Sequence, residues 1–334
     1  MRCIYVFVSF ILLAGCSNSA KYIYNEGLIF GTFYHLTYED VEGDLHGEIK
    51  ELLNLFNRSL STFDTASVIS RFNRGEKDVV ADRFFTETFA KAKEVHHESG
   101  GAFDITIAPI ANAWGFGFEK RTEVTPEIID SLMQFVGMDN VYIENGIIHK
   151  KKEGVMLNVS AIAKGYGVDV VAKFLKSRGI GNYTVEIGGE VATSGVNPKG
   201  NAWRIGINKP VDDVTAAQNG EYKLILQLSG QALATSGNYR NYYIKDGKKF
   251  AHTIDPRTGY AVQLSILSTS IVADDCMTAD AYATACMVLG VDDAMTLIER
   301  IPNVEGCFIY ELTDSGIQGV AYTDGFDKYM ASVL

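Results

Sequence analysis

Asp280 and Thr284 have side chains and a spacing that could bind a cation. They stand four positions apart in a segment with helical periodicity, so a carboxylate and a hydroxyl oxygen can meet on one helix face. Such oxygens suit a hard cation such as Mg²⁺, which keeps several waters and completes its shell with phosphate oxygens. The pair alone is a weak indication, because Asp and Thr at this spacing more often form a solvated helix face.

A second candidate is the run Ser160-Ala-Ile-Ala-Lys-Gly165, which lies where a loop is expected to enter a helix. Its backbone amides, the positive end of the helix and the ammonium of Lys164 all suit a diphosphate. The run is neither a Gly-Lys-Ser/Thr phosphate loop nor a Gly-x-Gly-x-x-Gly fingerprint. A lysine at a helix start, beside a glycine that allows close packing, would give the same spacing. The residues leave both interpretations open.

His252 is a candidate general base. It stands just ahead of residues 254–259, where Pro256 and Gly259 predict a tight turn. An imidazole ionises near neutral pH and can therefore accept a proton. Alternatively, His252 forms a hydrogen bond across the turn. The nearby Asp255 either assists it or only shapes the turn.

Apolar periodicity predicts the elements that must position these residues. Helices are expected at about 43–60, 83–98, 125–136, 163–178, 277–289 and 291–300. Strands are expected at about 28–38, twice within 140–157, and at 183–187, 203–208, 222–228, 231–236, 306–312 and 317–322. His96 and His97 fall on a polar helix and are expected at the surface, whereas the Gly-rich, aromatic residues 113–117 predict a loop. Since no repeat or linker divides the chain, we expect one compact α+β unit.

The first residues have the pattern of an export signal. A basic start is followed by an apolar stretch of about ten residues, half of what a membrane-spanning helix needs. The ending Leu13-Ala-Gly-Cys16 resembles a bacterial lipoprotein signal, in which Cys16 takes the lipid after cleavage. An ordinary secretory signal with a chance cysteine is the alternative. By the same resemblance, Ser17 favours the outer membrane, with the protein facing the periplasm. We expect a signal peptide over 1–15, a lipidated tether over 16–26 and the folded domain over 27–334.

Charge and cysteine content limit the possible partners. The chain of 334 residues has a formal net charge of -11, so its general surface repels nucleic acid and anionic lipid. We therefore expect no nucleic-acid partner, and a phosphate ligand would need a local cation, a metal ion or backbone amides. With Cys16 lipidated, Cys276, Cys286 and Cys307 remain, and an odd number argues against a disulfide framework. We expect these three in the core or as free thiols.

Three segments, in this order, resemble the bacterial ApbE family of FAD:protein FMN transferases. They are Asn158-Val-Ser-Ala-Ile-Ala-Lys-Gly-Tyr-Gly-Val-Asp169, His252-Thr-Ile-Asp-Pro-Arg-Thr-Gly259 and Ala279-Asp-Ala-Tyr-Ala-Thr284. The resemblance implies a single T-fold-like flavin-transferase unit of mixed sheets and helices. It also implies Mg²⁺-dependent cleavage of FAD, with FMN attached by a phosphoester bond to a Thr or Ser of exported flavoproteins and AMP released. Subunits of membrane redox pumps are acceptors of this kind.

The resemblance further assigns the site residues. The backbone oxygen of Ala161, with Asp280 and Thr284, would bind Mg²⁺, and His252 would accept the proton of the acceptor hydroxyl. The positions that match FAD-binding residues are Phe30, Phe63, Ala102, Phe103, Asp104, Asn158, Lys164 and Ile254. The aromatic residues of 114–117 and Phe103 would line a slot for the isoalloxazine ring.

Three of the FAD positions depart from the family pattern. Phe30 stands where many members have Met, Phe63 where many have Tyr, and Asn158 where many have Asp. A Phe still stacks on a ring but lacks the Tyr hydroxyl. An Asn can donate and accept hydrogen bonds but carries no charge. The departures therefore bear on FAD affinity more than on reaction type.

Two other functions fit the same residues. An FAD pyrophosphatase would use water in place of the acceptor hydroxyl, with identical metal and phosphate contacts. A non-enzymatic lipoprotein that stores or delivers FAD would need neither a metal ion nor a base at the diphosphate. The presence of Asp280, Thr284, Lys164 and His252 argues against simple storage.

Overall fold

The computed structural model describes residues 20–119, 124–210, 222–238, 242–245, 248–251, 253–262, 265–312 and 317–331. The predicted signal peptide, Cys16 and His252 lie outside these residues. No helix within the described ranges is long and apolar enough to cross a membrane.

An antiparallel sheet of eight strands organises the described residues, with the strand order β1-β2-β5-β6-β9-β12-β13-β14. Its strands are Tyr22–Ile29 (β1), Thr32–Glu39 (β2), Tyr183–Ile187 (β5), Glu190–Ser194 (β6), Ala232–Gly237 (β9), Ile266–Ala273 (β12), Glu305–Glu311 (β13) and Gln318–Tyr322 (β14). Three two-stranded sheets are separate from it: Val141–Glu144 (β3) with Ile147–Lys150 (β4), Trp203–Asn208 (β7) with Tyr222–Leu228 (β8), and Tyr242–Lys245 (β10) with Lys248–Ala251 (β11).

The first hairpin corrects two expectations. The single strand predicted over 28–38 is two strands joined by Phe30 and Gly31, whose φ angles are 55° and 75°. Positive φ at both central residues is the geometry of a tight two-residue hairpin turn, so the alternating pattern ran through a reversal of the chain. Residues 22–26 of the predicted tether also belong to β1, because their backbone pairs with β2 from Tyr22 opposite Glu39 onward.

Eight helices lie in the described residues, and the sequence predicted most of them closely. They are His46–Leu60 (α1), Val68–Asn73 (α2), Arg83–Glu98 (α3), Ala108–Trp114 (α4), Pro126–Met133 (α5), Ala163–Ser177 (α6), Cys276–Leu289 (α7) and Val291–Ile298 (α8). Several begin at a side-chain cap, as α3 does where Asp82 accepts from the Phe85 N–H. The short α4 includes Ala113 and Trp114 of the loop predicted over 113–117, so that prediction is wrong for these two residues, and the helix is closed by Gly115 with a left-handed φ of 84°.

Both faces of the main sheet are covered around β12. In this strand Ile271 belongs to the core shared with α7, while its neighbour Val272 packs with β7 and β8 on the opposite face. Successive side chains of a strand point to opposite faces, so a fully buried strand such as β12 must be covered twice. Helices α6 and α7 lie on the first face, with α1 and α3 packed outside them. The expected α+β class is confirmed.

Candidate functional site

A cavity of about 680 Å³ lies where α6 and α7 meet the ends of β6 and β9. Nine residues selected from the sequence line it: Ala102, Phe103, Asp104, Asn158, Ala161, Lys164, Ile254, Asp280 and Thr284. They come from four separate stretches of chain, which the fold gathers at one place. A volume of this size is ordinary for a site that encloses a small-molecule ligand.

Phe30 and Phe63 do not belong to the lining of this cavity. Phe30 turns from the β1–β2 hairpin onto the helix layer, where its ring centroid lies 5.2 Å from that of Phe56. Phe63 lies between α1 and α2 with 82% of its surface exposed. The assignment of these two residues to FAD stays a prediction.

Helices α6 and α7 approach each other closely at Gly165. A Cβ atom at this position would collide with the carbonyl oxygen of Cys276 and lie 2.7 Å from the Cβ of Asp280. The Gly165 N–H donates to Asp280 Oδ2 over 2.9 Å. Glycine is therefore required here, because only its bare backbone lets Asp280 reach the start of α6.

Asp169 fixes the start of α7 on the same two helices. Its two carboxylate oxygens accept from the N–H groups of Cys276 and Met277, each over 2.8 Å. These are among the amides that a helix leaves without partners in its first turn. Burial, with the charge of Asp275 nearby, raises the pKa of Asp169 to about 7. Asp275 itself caps α7 by accepting from the Thr278 N–H, so it serves the helix end and does not line the cavity.

The predicted metal ligands have the chemistry that Mg²⁺ requires. Asp280 is 2% exposed, and because Gly165 holds Oδ2, Oδ1 is the oxygen left for a cation. The Thr284 hydroxyl stands one helical turn further along α7, 3.3 Å from the hydroxyl of Ser236 on β9. Ala161 also lines the cavity and offers its backbone carbonyl. One carboxylate, one hydroxyl and one carbonyl suit a cation that takes its remaining ligands from water and phosphate.

Lys164 lies between two buried carboxylates. Its Nζ is 2.5 Å from Glu190 Oε1 and 3.8 Å from Asp280 Oδ1. Burial lowers the pKa of Lys164, but attraction to Asp280 and Glu190 outweighs this effect and raises the pKa overall. Burial raises the pKa of Glu190, an effect that the ammonium of Lys164 opposes. The lysine is therefore a permanent cation in an otherwise acidic corner, which suits a phosphate ligand.

Glu190 is the site residue that sequence reasoning missed. Residues Gly188 and Gly189, with φ of 63° and 104°, form the two-residue turn between β5 and β6, and Glu190 follows directly. An acidic residue at the start of a strand that is otherwise apolar or small was the available signal, because a carboxylate is rarely buried without a partner.

Asn158 shapes the loop that enters α6. Its Oδ1 accepts from the Ser160 N–H over 3.0 Å, and its backbone N–H donates to the Ile105 carbonyl over 2.8 Å. The first contact ties the residue to its own loop, and the second ties that loop to the 102–107 wall of the cavity. Asn158 therefore keeps one of the hydrogen bonds that a carboxylate would make there.

Asp104 anchors the opposite wall. It is 6% exposed, and its Oδ1 accepts from the Thr106 N–H over 2.7 Å and from the Thr106 hydroxyl. Burial raises its pKa. His96 Nδ1 lies 3.3 Å from Asp104 Oδ2 and donates to the Phe103 carbonyl over 2.9 Å. His96 was expected at the surface, but it is half-buried because its ring reaches back from α3 to this loop, whereas His97 is exposed.

The loop after α4 supplies the aromatic part of the lining. Gly115, Phe116 and Gly117 face the cavity, as the sequence predicted for this segment. Trp114 does not line it; its Nε1 donates to the Gly259 carbonyl over 2.9 Å and so joins α4 to the turn at 254–259. The Trp114 indole therefore stabilises the cavity wall without lining the cavity itself.

Asp255 belongs to the turn at 254–259, and its assistance to His252 stays a prediction because His252 lies outside the described residues. Its carboxylate accepts from the Arg257 N–H and from the guanidinium, at 2.8 to 2.9 Å. This arrangement makes Asp255 a turn former. Thr253 and Ile254 line the cavity directly after the position of His252.

The cysteine expectation holds for the described part of the chain. Cys276, Cys286 and Cys307 are all buried and free. Burial raises the pKa of each thiol, so none is prepared for nucleophilic chemistry.

The chain is similar to known proteins over most of its length. The model of the ApbE family matches residues 30–308. An FAD:protein FMN transferase of Vibrio cholerae serotype O1 is 38% identical over 337 residues, covering 97% of this chain and 95% of the relative. Another from Haemophilus influenzae is 36% identical over 322 residues, covering 91% of this chain and 90% of the relative. The solved structure of the flavin transferase ApbE from Vibrio cholerae has a TM-score of 0.83 at 34% identity, covering 93% of this chain and 99% of that one.

Proposed function

Because this chain belongs to the ApbE family, we propose that it is an FAD:protein FMN transferase. Its substrate is FAD, and its acceptors are flavoproteins. The observation that carries the proposal is the convergence of Lys164, Asp280, Thr284 and the 102–104 loop on one cavity. A cationic group, a cation site and an aromatic wall are together what a flavin diphosphate needs.

The start of α6 binds the diphosphate in this proposal. Lys164 contributes its ammonium, and the positive end of the helix adds to the attraction. Because the chain as a whole is acidic, a polyanionic substrate needs local positive groups such as these in order to bind. Phe116 lies on the other wall, where the isoalloxazine ring would stack, whereas the ring of Phe103 is buried in the core behind that wall.

Mg²⁺ fits the oxygens present, and Asp280 Oδ1, the Thr284 hydroxyl and the Ala161 carbonyl would hold it. When bound, it would neutralise charge that develops on the phosphate oxygens during transfer. The chain prepares this position by fixing Asp280 through the Gly165 N–H and by packing α7 on α6. Ser236 orients the Thr284 hydroxyl from β9.

The transfer forms one bond and breaks one. The oxygen of an acceptor Thr or Ser attacks the FMN-side phosphorus of FAD, while the bond from that phosphorus to the AMP oxygen breaks and AMP leaves. His252 would accept the hydroxyl proton. Its position in the sequence, one residue before Thr253 of the cavity lining, supports this role. FMN then remains on the acceptor through a phosphoester bond.

We also propose that the protein is anchored to a bacterial membrane through Cys16 and faces the periplasm. The support is the sequence pattern at residues 1–16. Exported flavoproteins with an acceptor Thr or Ser, such as subunits of membrane redox pumps, would be its targets.

A mass measurement tests the reaction. Residues 17–334 are incubated with FAD, Mg²⁺ and an exported flavoprotein domain that bears an acceptor Thr, and the acceptor is then denatured and weighed. We expect a gain of one FMN that is absent when EDTA is added or when the acceptor Thr is replaced by Val. Free FMN and AMP without an adduct would instead identify a pyrophosphatase, and intact bound FAD would identify a carrier.

A further inference from the structure

Glu190 is a buried carboxylate to which the resemblance gives no role. It is 3% exposed and lines the cavity. One oxygen contacts Lys164, while Oε2 has no hydrogen-bond partner among the described residues. A buried, half-paired carboxylate is costly for a fold to keep. Packing alone therefore does not account for it.

Two carboxylates compete for one ammonium at this corner. Lys164 Nζ lies 2.5 Å from Glu190 Oε1 but 3.8 Å from Asp280 Oδ1. The shorter contact is a direct charge-assisted hydrogen bond, and the longer one is not a hydrogen bond. Glu190 thus holds the lysine, and Asp280 Oδ1 accepts no hydrogen bond from it, although the two charges still attract each other over 3.8 Å.

The hairpin turn makes this arrangement rigid. Gly188 and Gly189 reverse the chain with positive φ at both positions, which sets Glu190 at the first position of β6. A Cβ atom at Gly188 would lie 3.4 Å from Lys164 Cδ, so the turn also flanks the lysine stem. Both the stem and the head of Lys164 are positioned by the same hairpin.

We propose that Glu190 is a positioning residue for flavin transfer, which holds the Lys164 ammonium toward the FAD diphosphate and keeps it from forming a direct hydrogen bond with Asp280 Oδ1. This inference rests on the proposed function, because it requires Lys164 to contact the diphosphate. Without the charge of Glu190, Lys164 needs to move only about 1 Å to form a direct ion pair with Asp280 Oδ1. That ion pair would draw the Lys164 ammonium away from the FAD diphosphate. It would also occupy Asp280 Oδ1, which is the proposed cation ligand.

The test is a double-mutant cycle on FAD affinity. FAD binding is measured by flavin fluorescence in EDTA, so that turnover does not interfere, for the parent, Glu190→Gln, Lys164→Met and the double variant. Glu190→Gln keeps the shape of the side chain and removes its charge. Glu186→Gln serves as the matched control, because Glu186 flanks the same turn and accepts from the Gly189 N–H while it contacts His35.

The expected effect of Glu190→Gln on FAD affinity differs between the two backgrounds. In the parent, Glu190→Gln should weaken FAD binding by roughly tenfold, the worth of one charge-assisted hydrogen bond. In the Lys164→Met background the same change only removes a negative charge near the phosphates, so binding should be unchanged or tighter. Glu190→Asp, which retains the charge, should recover part of the parent affinity, and Glu186→Gln should bind FAD like the parent.

Each other outcome overturns the inference. Tighter binding in both backgrounds would mean that Glu190 only repels the phosphates, and equal weakening in both would mean that it only supports the fold. If Lys164→Met weakens FAD binding but Glu190→Gln does not, the lysine assignment stands and the role of Glu190 is wrong. If Lys164→Met binds FAD as the parent does, the diphosphate assignment of Lys164 is wrong as well.

Discussion

At the scale of single residues, the two oxygens of Asp280 have separate tasks. Oδ2 accepts from the Gly165 backbone, and Oδ1 lies 3.8 Å from the ammonium of Lys164 at the cavity wall. A side chain that is fixed through one oxygen presents the other in a constant position. The same carboxylate therefore joins two helices and, in the proposed function, would provide a ligand for the cation.

Asp280→Ala should abolish FMN transfer and leave some FAD binding, because Lys164 and the aromatic wall remain. Transfer is followed by the mass of the acceptor, and FAD binding by flavin fluorescence. Asp274→Ala is the matched control, since Asp274 precedes α7 but contacts Asn303 outside the cavity. Normal transfer by the Asp280 variant would rule out the metal assignment.

His252→Ala should slow transfer by roughly 10²- to 10⁴-fold, the usual contribution of a general base. Single-turnover rates with bound FAD measure the chemical step, and FAD affinity should change little. The exposed His97 provides a control variant, His97→Ala. An unchanged rate would place the base elsewhere, and because Asp255 is already engaged by Arg257, a water-mediated base would then be sought in the cavity lining.

The site residues that could be predicted from the sequence lie in local motifs, whereas the one that could not be predicted depends on a partner distant in the chain. Lys164, Asp280 and Thr284 belong to motifs with recognisable spacing, and all three reach the cavity. Glu190 was concealed because its role depends on a contact with Lys164, 26 residues away in the chain. Pairings between distant residues leave no periodic signal in one sequence.

At the scale of elements, helices were predicted better than strands. Helix α3 was expected at 83–98 and lies at Arg83–Glu98, because its apolar period and its Asp82 cap agree. Strand β12 was missed, since its Ser and Thr residues suggest a loop. In the fold these hydroxyls are satisfied internally, as when Thr269 donates to the Ala283 carbonyl over 2.7 Å. A strand covered on both faces also lacks the alternation of apolar and polar residues from which strands are predicted.

The junction of α6 and α7 should make stability depend on pH through Asp169. Its pKa is raised from 3.8 to about 7 by burial and by Asp275, with Lys173 and the two capped amides opposing. The folded state therefore binds the proton more tightly than the unfolded state. The contribution of Asp169 to stability is full below pH 3.8 and is lost as the pH rises to about 7.

Asp169→Asn should remove this part of the pH dependence. The variant is also less stable overall, because an amide cannot accept from both Cys276 and Met277. Urea unfolding at several pH values between 4 and 8 gives the comparison. We expect the difference in unfolding free energy between the parent and the variant to shrink as the pH rises. A constant difference would mean that Asp169 does not titrate in this range.

At the scale of the whole molecule, the folded domain begins close to the predicted anchor. Strand β1 starts at Tyr22, and the five residues between it and Cys16 reach at most roughly 20 Å. A lipid on Cys16 would therefore keep the domain near the membrane surface, where membrane-bound acceptors are found.

Cys16→Ala should release the protein from membranes without changing its reaction. A protein with multiple acyl chains is held firmly, since each buried methylene contributes about 0.8 kcal/mol. Cell fractionation followed by the acceptor assay separates the two properties. Ser19→Ala is a suitable control in the same segment. Retention of the Cys16 variant in the membrane fraction would point to a different anchor.

The hydrogen bond between Gly165 and Asp280 joins positions 115 residues apart. A chain that extends only as far as β6 carries Lys164 and Glu190 but has no α7 to place beside them. The cavity therefore cannot exist until α7 has been made and has packed on α6. Long-range contacts of this kind also form slowly. Binding of FAD is consequently a late event, and acquisition of flavin fluorescence quenching would report that a newly made molecule has finished folding.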